Sequence, residues 1–314
     1  MRRTWITVLS LTTALSLSAC GGGGDPLEEA DAPAEQEGAD TTGAADEGAG
    51  QVVVGSANFP ENELLAEIYA AALSGAGVDV STRLNIGSRE TYMAGLEDGS
   101  VDLIPEYIGG LGTFLNPDIT ATSTEDVLAD VEENLPDGLQ LLELSEAENK
   151  DSIAVTAETA EEHSLTEIGD LQDVAGEMTL GGPPEFETRP NGVAGLERVY
   201  DVVFGSFRSL SAGGNLTVQA LVNGQVDAAN IFTTDPSIEE NGFVVLEDPE
   251  SLFAAQNIVP LISSDVVNPA VEEALNEVSA ALTTEELTAM MVRVITDGED
   301  PADVAREFGR CQGG

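Results

Sequence analysis

GSVDLIPEYIGG (residues 99–110) and GQVDAANIFTTD (residues 224–235) share a Gly-x-Val-Asp start, and each reaches an aromatic residue five positions after the aspartate, Tyr107 in one and Phe232 in the other. Each follows a helical pattern, YMAGLEDG or TVQALVNG, with Leu96 or Leu221 three residues before the glycine. A helix, a glycine stop and a buried strand are generic to α/β units, which accounts for the glycine and the valine. They do not account for an aromatic at matching places in two halves of one chain.

Working outward from the first segment, VVVGSANF (52–59) reads as a buried strand running into a loop. ENELLAEIYAAALSGAG follows as a helix with Leu64, Leu65, Ile68, Ala71 and Ala72 on one face. VDVSTRLNI is a second strand and SRETYMAGLEDG a helix opening on Ser88. Around the second segment the alternation repeats from about residue 153, and PAVEEALNEVSAAL and TTEELTAMMVRVIT close the chain as helices. Strands alternating with helices of this length predict an α/β fold with parallel sheets covered on both faces. Ligands of open α/β sheets gather beyond the carboxyl ends of the strands. Two such lobes facing each other would close Tyr107 and Phe232 over one small molecule. The crossings are expected near Glu148–Asp151 and Pro249–Pro260, giving lobe 1 as residues 51–150 plus 259–314 and lobe 2 as 151–258. Tyr107 reads as a ring at the end of a strand, beside a glycine turn and free of neighbouring side chains. The alternative is that both rings fill space beneath the cleft.

The first twenty residues, MRRTWITVLSLTTALSLSAC, have a basic start, an apolar run and a small-residue end, the pattern of a secretory signal. Leu17-Ser18-Ala19-Cys20 resembles the lipobox of bacterial lipoproteins, in which the cysteine is acylated and becomes the new N-terminus. An incidental cysteine in an ordinary secretory signal is the alternative. Residues 21–50 carry nine acids with no base and no aromatic, and read as a disordered acidic tether spanning about 30 Å.

The chain holds 58 acids against 11 Lys and Arg, for a formal net charge of −47. Repulsion on that scale excludes nucleic acid and anionic lipid headgroups as partners. Lys150 is the only lysine, which fits a surface kept solvated in saline surroundings or, equally, a biased genomic composition. After Cys20 only Cys311 remains, so no internal disulfide is expected. The single histidine, His163, sits in the acidic stretch AETAEEHSL and reads as a solvated helix residue. No His/Cys cluster has metal spacing, no Gly-rich loop precedes Lys-Ser/Thr, and no Gly-x-Ser-x-Gly elbow occurs. These absences point away from an enzyme.

At VGSANFPENELLAEIYA (54–70), NIGSRETY (85–92), DGSVDLIPEYIGG, PEFETRPNGVAGLERVY (184–200) and NGQVDAANIFTTD (223–235) the chain resembles the substrate-binding proteins of ABC importers for glycine betaine, choline and carnitine. The resemblance covers essentially all of residues 51–314. It implies a two-lobed type II periplasmic-binding fold with the ligand cleft between lobes, an ABC permease as partner, no cofactor or metal, and a monomer on the outer face of the cytoplasmic membrane. It also implies trimethylammonium groups held by aromatic faces, whose quadrupole attracts a poorly hydrated cation by about 0.5–2 kcal/mol per good contact. Carried over residue by residue, Tyr107 matches the tyrosine of the family's Pro-Glu-Tyr. Phe232 matches a second-lobe position that is usually tyrosine, and Asn62 stands where glutamine is common. Ser88 belongs to the matched loop, while Arg189 and Lys150 are conceivable partners for a ligand carboxylate, with pairing to local acids as the alternative. Tyr69 and Tyr92 read as core.

Two departures stand out. The family commonly has an aromatic just before the Ala-Val of the crossover strand, where this chain reads Asp151-Ser152-Ile153-Ala154-Val155. The position after Tyr-x-Gly, often Thr or Asp, is Gly110. An aspartate at the site would repel a ligand carboxylate, so choline is expected to bind at least as well as glycine betaine. A binder of another small cation or polar solute, and a surface enzyme or adhesion module on the same scaffold, are the competing readings.

Overall fold

In the computed structural model, which describes residues 51–312, the aspartates of the two Gly-x-Val-Asp segments do the same job in two separate sheets. Asp102 accepts from the Val53 amide at 2.8 Å and returns its own N–H to the Val53 carbonyl at 2.9 Å. Asp227 accepts from the Thr179 amide at 2.7 Å and donates to the Thr179 carbonyl at 2.9 Å. Each aspartate thus stitches the start of its strand to the neighbouring strand. The glycine before it lies in the left-handed region, Gly99 at φ 73° and Gly224 at φ 63°, where a side chain would be strained.

Among the described residues ten strands form two five-stranded sheets. They are β1 (Val52–Gly55), β2 (Val80–Arg83), β3 (Leu103–Tyr107), β4 (Leu139–Leu141), β5 (Asp151–Val155), β6 (Thr179–Gly182), β7 (Ser206–Ser209), β8 (Ala228–Phe232), β9 (Val244–Val245) and β10 (Ile258–Ser263). The orders are β2-β1-β3-β10-β4 and β7-β6-β8-β5-β9. The expected parallel pairing holds for β1 with β2 and β3, and for β6 with β7 and β8. It fails at β10 and β5, which run antiparallel to both their neighbours. These are the strands that enter a sheet directly from the other one, without the crossover helix that makes consecutive strands parallel. The register is equivalent in the two sheets: Tyr107 at the end of β3 faces Ile258 at the start of β10, and Phe232 at the end of β8 faces Asp151 at the start of β5. The two crossing segments lie side by side, with a bridge between Glu148 and Asn257 and a bond from the Ile258 amide to the Ala147 carbonyl at 3.0 Å.

Apolar clusters cover both faces of each sheet. On the first sheet, α1 (Pro60–Gly75) packs Leu64, Leu65 and Ile68 with Val271, Leu275 and Leu287 of the closing helices. The opposite face holds Tyr92 and Leu96 of α2 (Arg89–Glu97) and Leu111 of α3 (Ile108–Leu115). On the second sheet one cluster gathers Ile153, Leu180 and Leu196, and another Val218, Leu221 and Ile231.

The expected glycine turn after Tyr107 is instead the first turn of α3. Its glycines allow close approach: a Cβ at Gly109 would stand 2.5 Å from the Ala255 carbonyl oxygen, and one at Gly110 would meet the Arg89 guanidinium. His163 ends an exposed helical turn, and Cys311 falls in the last helix, Pro301–Gln312. The expected signal segment, Cys20 and the acidic tether lie outside the described residues. No helix among the described residues is long and apolar enough to cross a membrane.

Candidate ligand-binding site

A cavity of about 70 Å³ opens where the carboxyl ends of the two sheets face each other. Tyr107, Phe232, Asp151, Ser88 and Arg189 all line it, although they come from five separate elements and loops. Lys150 does not; it pairs with Glu148 at 3.5 Å. Asn62 does not line it either. Its side-chain oxygen accepts from the Ala57 amide at 2.7 Å and its nitrogen donates to the Pro105 carbonyl at 2.8 Å. With both ends of the amide spent on backbone and the residue 1% exposed, Asn62 fixes the loop after β1 from beneath and has no face to offer a ligand.

The aromatic wall contains a ring that the sequence reading did not single out. Phe59, at the end of the loop from β1 to α1, lies 5.1 Å from Phe232 and 6.0 Å from Tyr107 between ring centroids, tilted 44° and 35°. Like the other two it stands at the carboxyl end of its sheet, although Tyr107 and Phe232 end their strands and Phe59 follows the last residue of β1 by four positions. Rings from both lobes thus meet at one place in the cleft.

Tyr107 is not free of neighbours. It is 7% exposed, belongs to the core beneath α1, and donates its hydroxyl to Glu61 Oε1 at 2.8 Å. Glu61, 2% exposed, also accepts from Asn149 Nδ2 at 2.7 Å and from the Thr234 hydroxyl. One buried carboxylate therefore joins the first lobe, a crossing segment and the end of β8. Burial pushes the Glu61 carboxyl pKa up, against the pull of its three donors.

A second buried acid, Glu106, organises the other side. It is fully buried and accepts four bonds: Arg89 Nε at 2.9 Å, Arg89 Nη2 at 2.8 Å, the Tyr92 hydroxyl at 2.7 Å and the Tyr107 amide at 2.9 Å. Tyr92, read as core, is 3% exposed and also touches the cavity. Tyr69 is core alone, at 1%. Neither Glu61, Glu106 nor Arg89 stood out in a chain where acids are everywhere.

On the second lobe, Asp151 accepts from Asn230 Nδ2 at 3.0 Å. Burial raises its pKa, while Asn230, Arg189 and Arg89 pull it back down. The repulsion expected between Asp151 and a ligand carboxylate is thus opposed by two guanidiniums. Arg189 forms a fork-to-fork pair with Glu90 of α2, both bonds 3.1 Å, across the mouth of the cleft. Partial burial opposes the charge on Glu90, yet Arg189 and Ser88 hold its pKa down at about 2. Among the described residues no group of three His, Cys, Asp or Glu side chains is placed to hold a metal ion.

Two α/β lobes thus meet at a cleft lined by rings and charged side chains. Residues 50–310 match the substrate-binding domain of ABC-type glycine betaine transport systems, and the chain belongs to that family, whose members are binding components of ABC importers and not enzymes. It is 26% identical over 280 residues to the glycine betaine-binding protein YehZ of Escherichia coli K12, covering 84% of this chain and 92% of that one. It is likewise 26% identical over 273 residues to a glycine-betaine-binding protein of Pseudomonas aeruginosa, covering 82% and 86%. Among solved structures, apo YehZ superposes with a TM-score of 0.58 over 84% of this chain and 99% of that one. A glycine betaine/carnitine/choline ABC transporter structure, 18% identical, shares the fold with a TM-score of 0.65 over 83% and 98%. These neighbours establish the two-lobed type II periplasmic-binding architecture.

Proposed function

We propose that this protein captures a quaternary-ammonium compatible solute of the glycine betaine, choline or carnitine type outside the cytoplasm and hands it to an ABC permease. The observation that carries this reading is the meeting of Phe59, Tyr107 and Phe232 at one cleft between lobes. Three ring faces suit a bulky, poorly hydrated cation, and no bond of the ligand needs to break. Tyr107, Phe232 and Phe59 hold the cation, Asp151 adds a negative charge beside it, and Ser88 and Arg189 serve the polar end. Residues 51–150 with 259–314 form one lobe and 151–258 the other, and the mechanism is closure without chemistry. Acylation at Cys20 anchors the monomer, and residues 21–50 are the tether that lets it reach the permease.

Calorimetric titration with glycine betaine, choline and carnitine tests the binding. The reading expects saturable one-to-one binding of at least one of them, and the absence of heat with all three overturns it. Cys20→Ala tests the anchor separately: the variant is expected to be released or to stay unprocessed, and unchanged membrane retention without an acyl label contradicts it.

A further inference from the structure

Glu61 is a buried acid that does not line the ligand cavity, yet four pieces of the chain meet at it. It stands in the first turn of α1 and is 2% exposed. Its Oε1 accepts from the Tyr107 hydroxyl at 2.8 Å and from Asn149 Nδ2 at 2.7 Å, and its Oε2 accepts from the Thr234 hydroxyl. Asn149 belongs to one crossing segment and ties it to the other, its amide donating to the Gln256 carbonyl at 3.3 Å. Thr234, buried like Glu61, follows Phe232 by two residues at the end of β8. It does not line the ligand cavity either; both residues face a second, smaller void beside Phe59 and Phe232. Two further bonds between the lobes, Arg189 to Glu90 and Thr296 to Glu240, join side chains that water reaches. Water competes for such surface bonds and leaves them worth little. It does not reach the bond from Thr234 to Glu61, where a lost partner is not replaced.

From this geometry we infer that Glu61 is the pin of the hinge: through Thr234 it holds the two lobes in the closed arrangement, by a bond that lies outside the ligand cavity. The inference rests on the two-lobe reading above and not on the identity of the solute. The bonds from Tyr107 and Asn149 to Glu61 stay within the first lobe and its crossing segment, so they survive when the lobes part. The bond from Thr234 comes from the other lobe and has to break. A ligand that binds the closed arrangement gains what this bond contributes, and every such ligand gains it equally. Thr234 thus sets how tightly the protein binds without setting what it binds. Glu61 is a positioning residue in the same sense, since the ring of Tyr107 that lines the cavity hangs from the carboxylate that pins the hinge.

The test pairs Thr234→Val, which deletes the hydroxyl at nearly constant shape, with Thr234→Ser, which keeps it. Two readouts are taken on the full chain. The first is the distance between spin labels at Glu97→Cys and Asn223→Cys, exposed positions on the two lobes, with Cys20 and Cys311 replaced by serine. In the ligand-free protein Thr234→Val is expected to shrink the short-distance population about three-fold or more, and Thr234→Ser to leave it as in the wild type. The second is calorimetry with glycine betaine and choline, whose affinities for Thr234→Val are expected to fall by one common factor, about three- to ten-fold. Should Thr234→Val fail to fold, Thr234→Ala is read in the same way. An unchanged distance distribution, a Thr234→Ser variant as open as Thr234→Val, or losses that differ between the two ligands overturn the inference. Absence of binding by the wild type overturns the quaternary-ammonium reading alone, and the distances still decide the hinge.

Discussion

The two walls of the cleft are built on different principles. The first-lobe wall is tied down by buried bonds within its own lobe: Glu106 and Arg89 form a buried pair, Tyr92 and Tyr107 are tied to buried carboxylates, and all four residues are 9% exposed or less. The second-lobe wall is held more lightly. Phe232 is half-buried at the end of β8, and Arg189 stands at the rim. Its ties run across the cleft, Arg189 to Glu90, Thr234 to Glu61 and Phe232 against Phe59. Under the proposed function the first wall would carry preorganised recognition and the second closure, so substitutions in the two walls should have different signatures.

The largest effect is expected at Glu106. Glu106→Ala leaves the Arg89 guanidinium buried without its partner, which costs about 3–5 kcal/mol of folding stability. Denaturant unfolding measures it, and a loss below about 1 kcal/mol would show that the first wall is not held by this pair. Phe232→Ala is next and should divide the other way. It is expected to weaken glycine betaine by about 1–2 kcal/mol, about ten-fold in affinity. Its loss of folding stability should be smaller than that of Glu106→Ala, because the ring is only half-buried. A Phe232→Ala variant with unchanged affinity would remove the ring from the site.

Tyr107→Phe tests the hydroxyl alone. The ring face stays, while Glu61 loses one of its three donors, so stability should fall by about 1 kcal/mol and affinity by less than in Phe232→Ala. The smallest effect is at the latch. The Glu90 and Arg189 side chains are 46% and 23% exposed, so Glu90→Gln should weaken binding by less than about 1 kcal/mol, mainly as faster release. The pH dependence has a definite sign. Pairing with Arg189 depresses the Glu90 pKa to about 2, so the latch contributes fully above the ordinary carboxylate range and is lost as pH falls toward about 2. The affinity gap between wild type and Glu90→Gln should accordingly be constant near neutrality and vanish in acid. A gap that widens as pH falls contradicts the pairing.

Much of the architecture was legible because it repeats. The matched Gly-x-Val-Asp segments placed an aromatic at the end of β3 and of β8, and five of the six proposed ligand-binding positions do line one cavity. What the sequence hid has particular causes. The antiparallel entry of β5 and β10 depends on which sheet the chain arrives from, and periodicity carries no record of that. The helix after Tyr107 was masked by Gly109 and Gly110, which look like a turn but are small because Ala255 and Arg89 press against them. Glu61 and Glu106 were indistinguishable among 58 acids until burial separated them. Arg89 finds its partner seventeen residues away, through the packing of α2 on β3, a spacing no local motif marks. Asn62 looked like a ligand donor because it adjoins the cleft loop, and only its two backbone bonds reveal otherwise.

The central claim is that aromatic faces recognise the positive charge of a quaternary ammonium, not merely its shape. Glycine betaine and its carbon isostere, tert-butylacetate, separate the two, since both present a trimethyl head and a carboxylate but only the first carries the cation. Calorimetric titration of the wild type with each is the direct measurement. Glycine betaine should bind about ten-fold or more tightly than tert-butylacetate, from about 0.5–2 kcal/mol at each ring, and equal affinities would contradict the account.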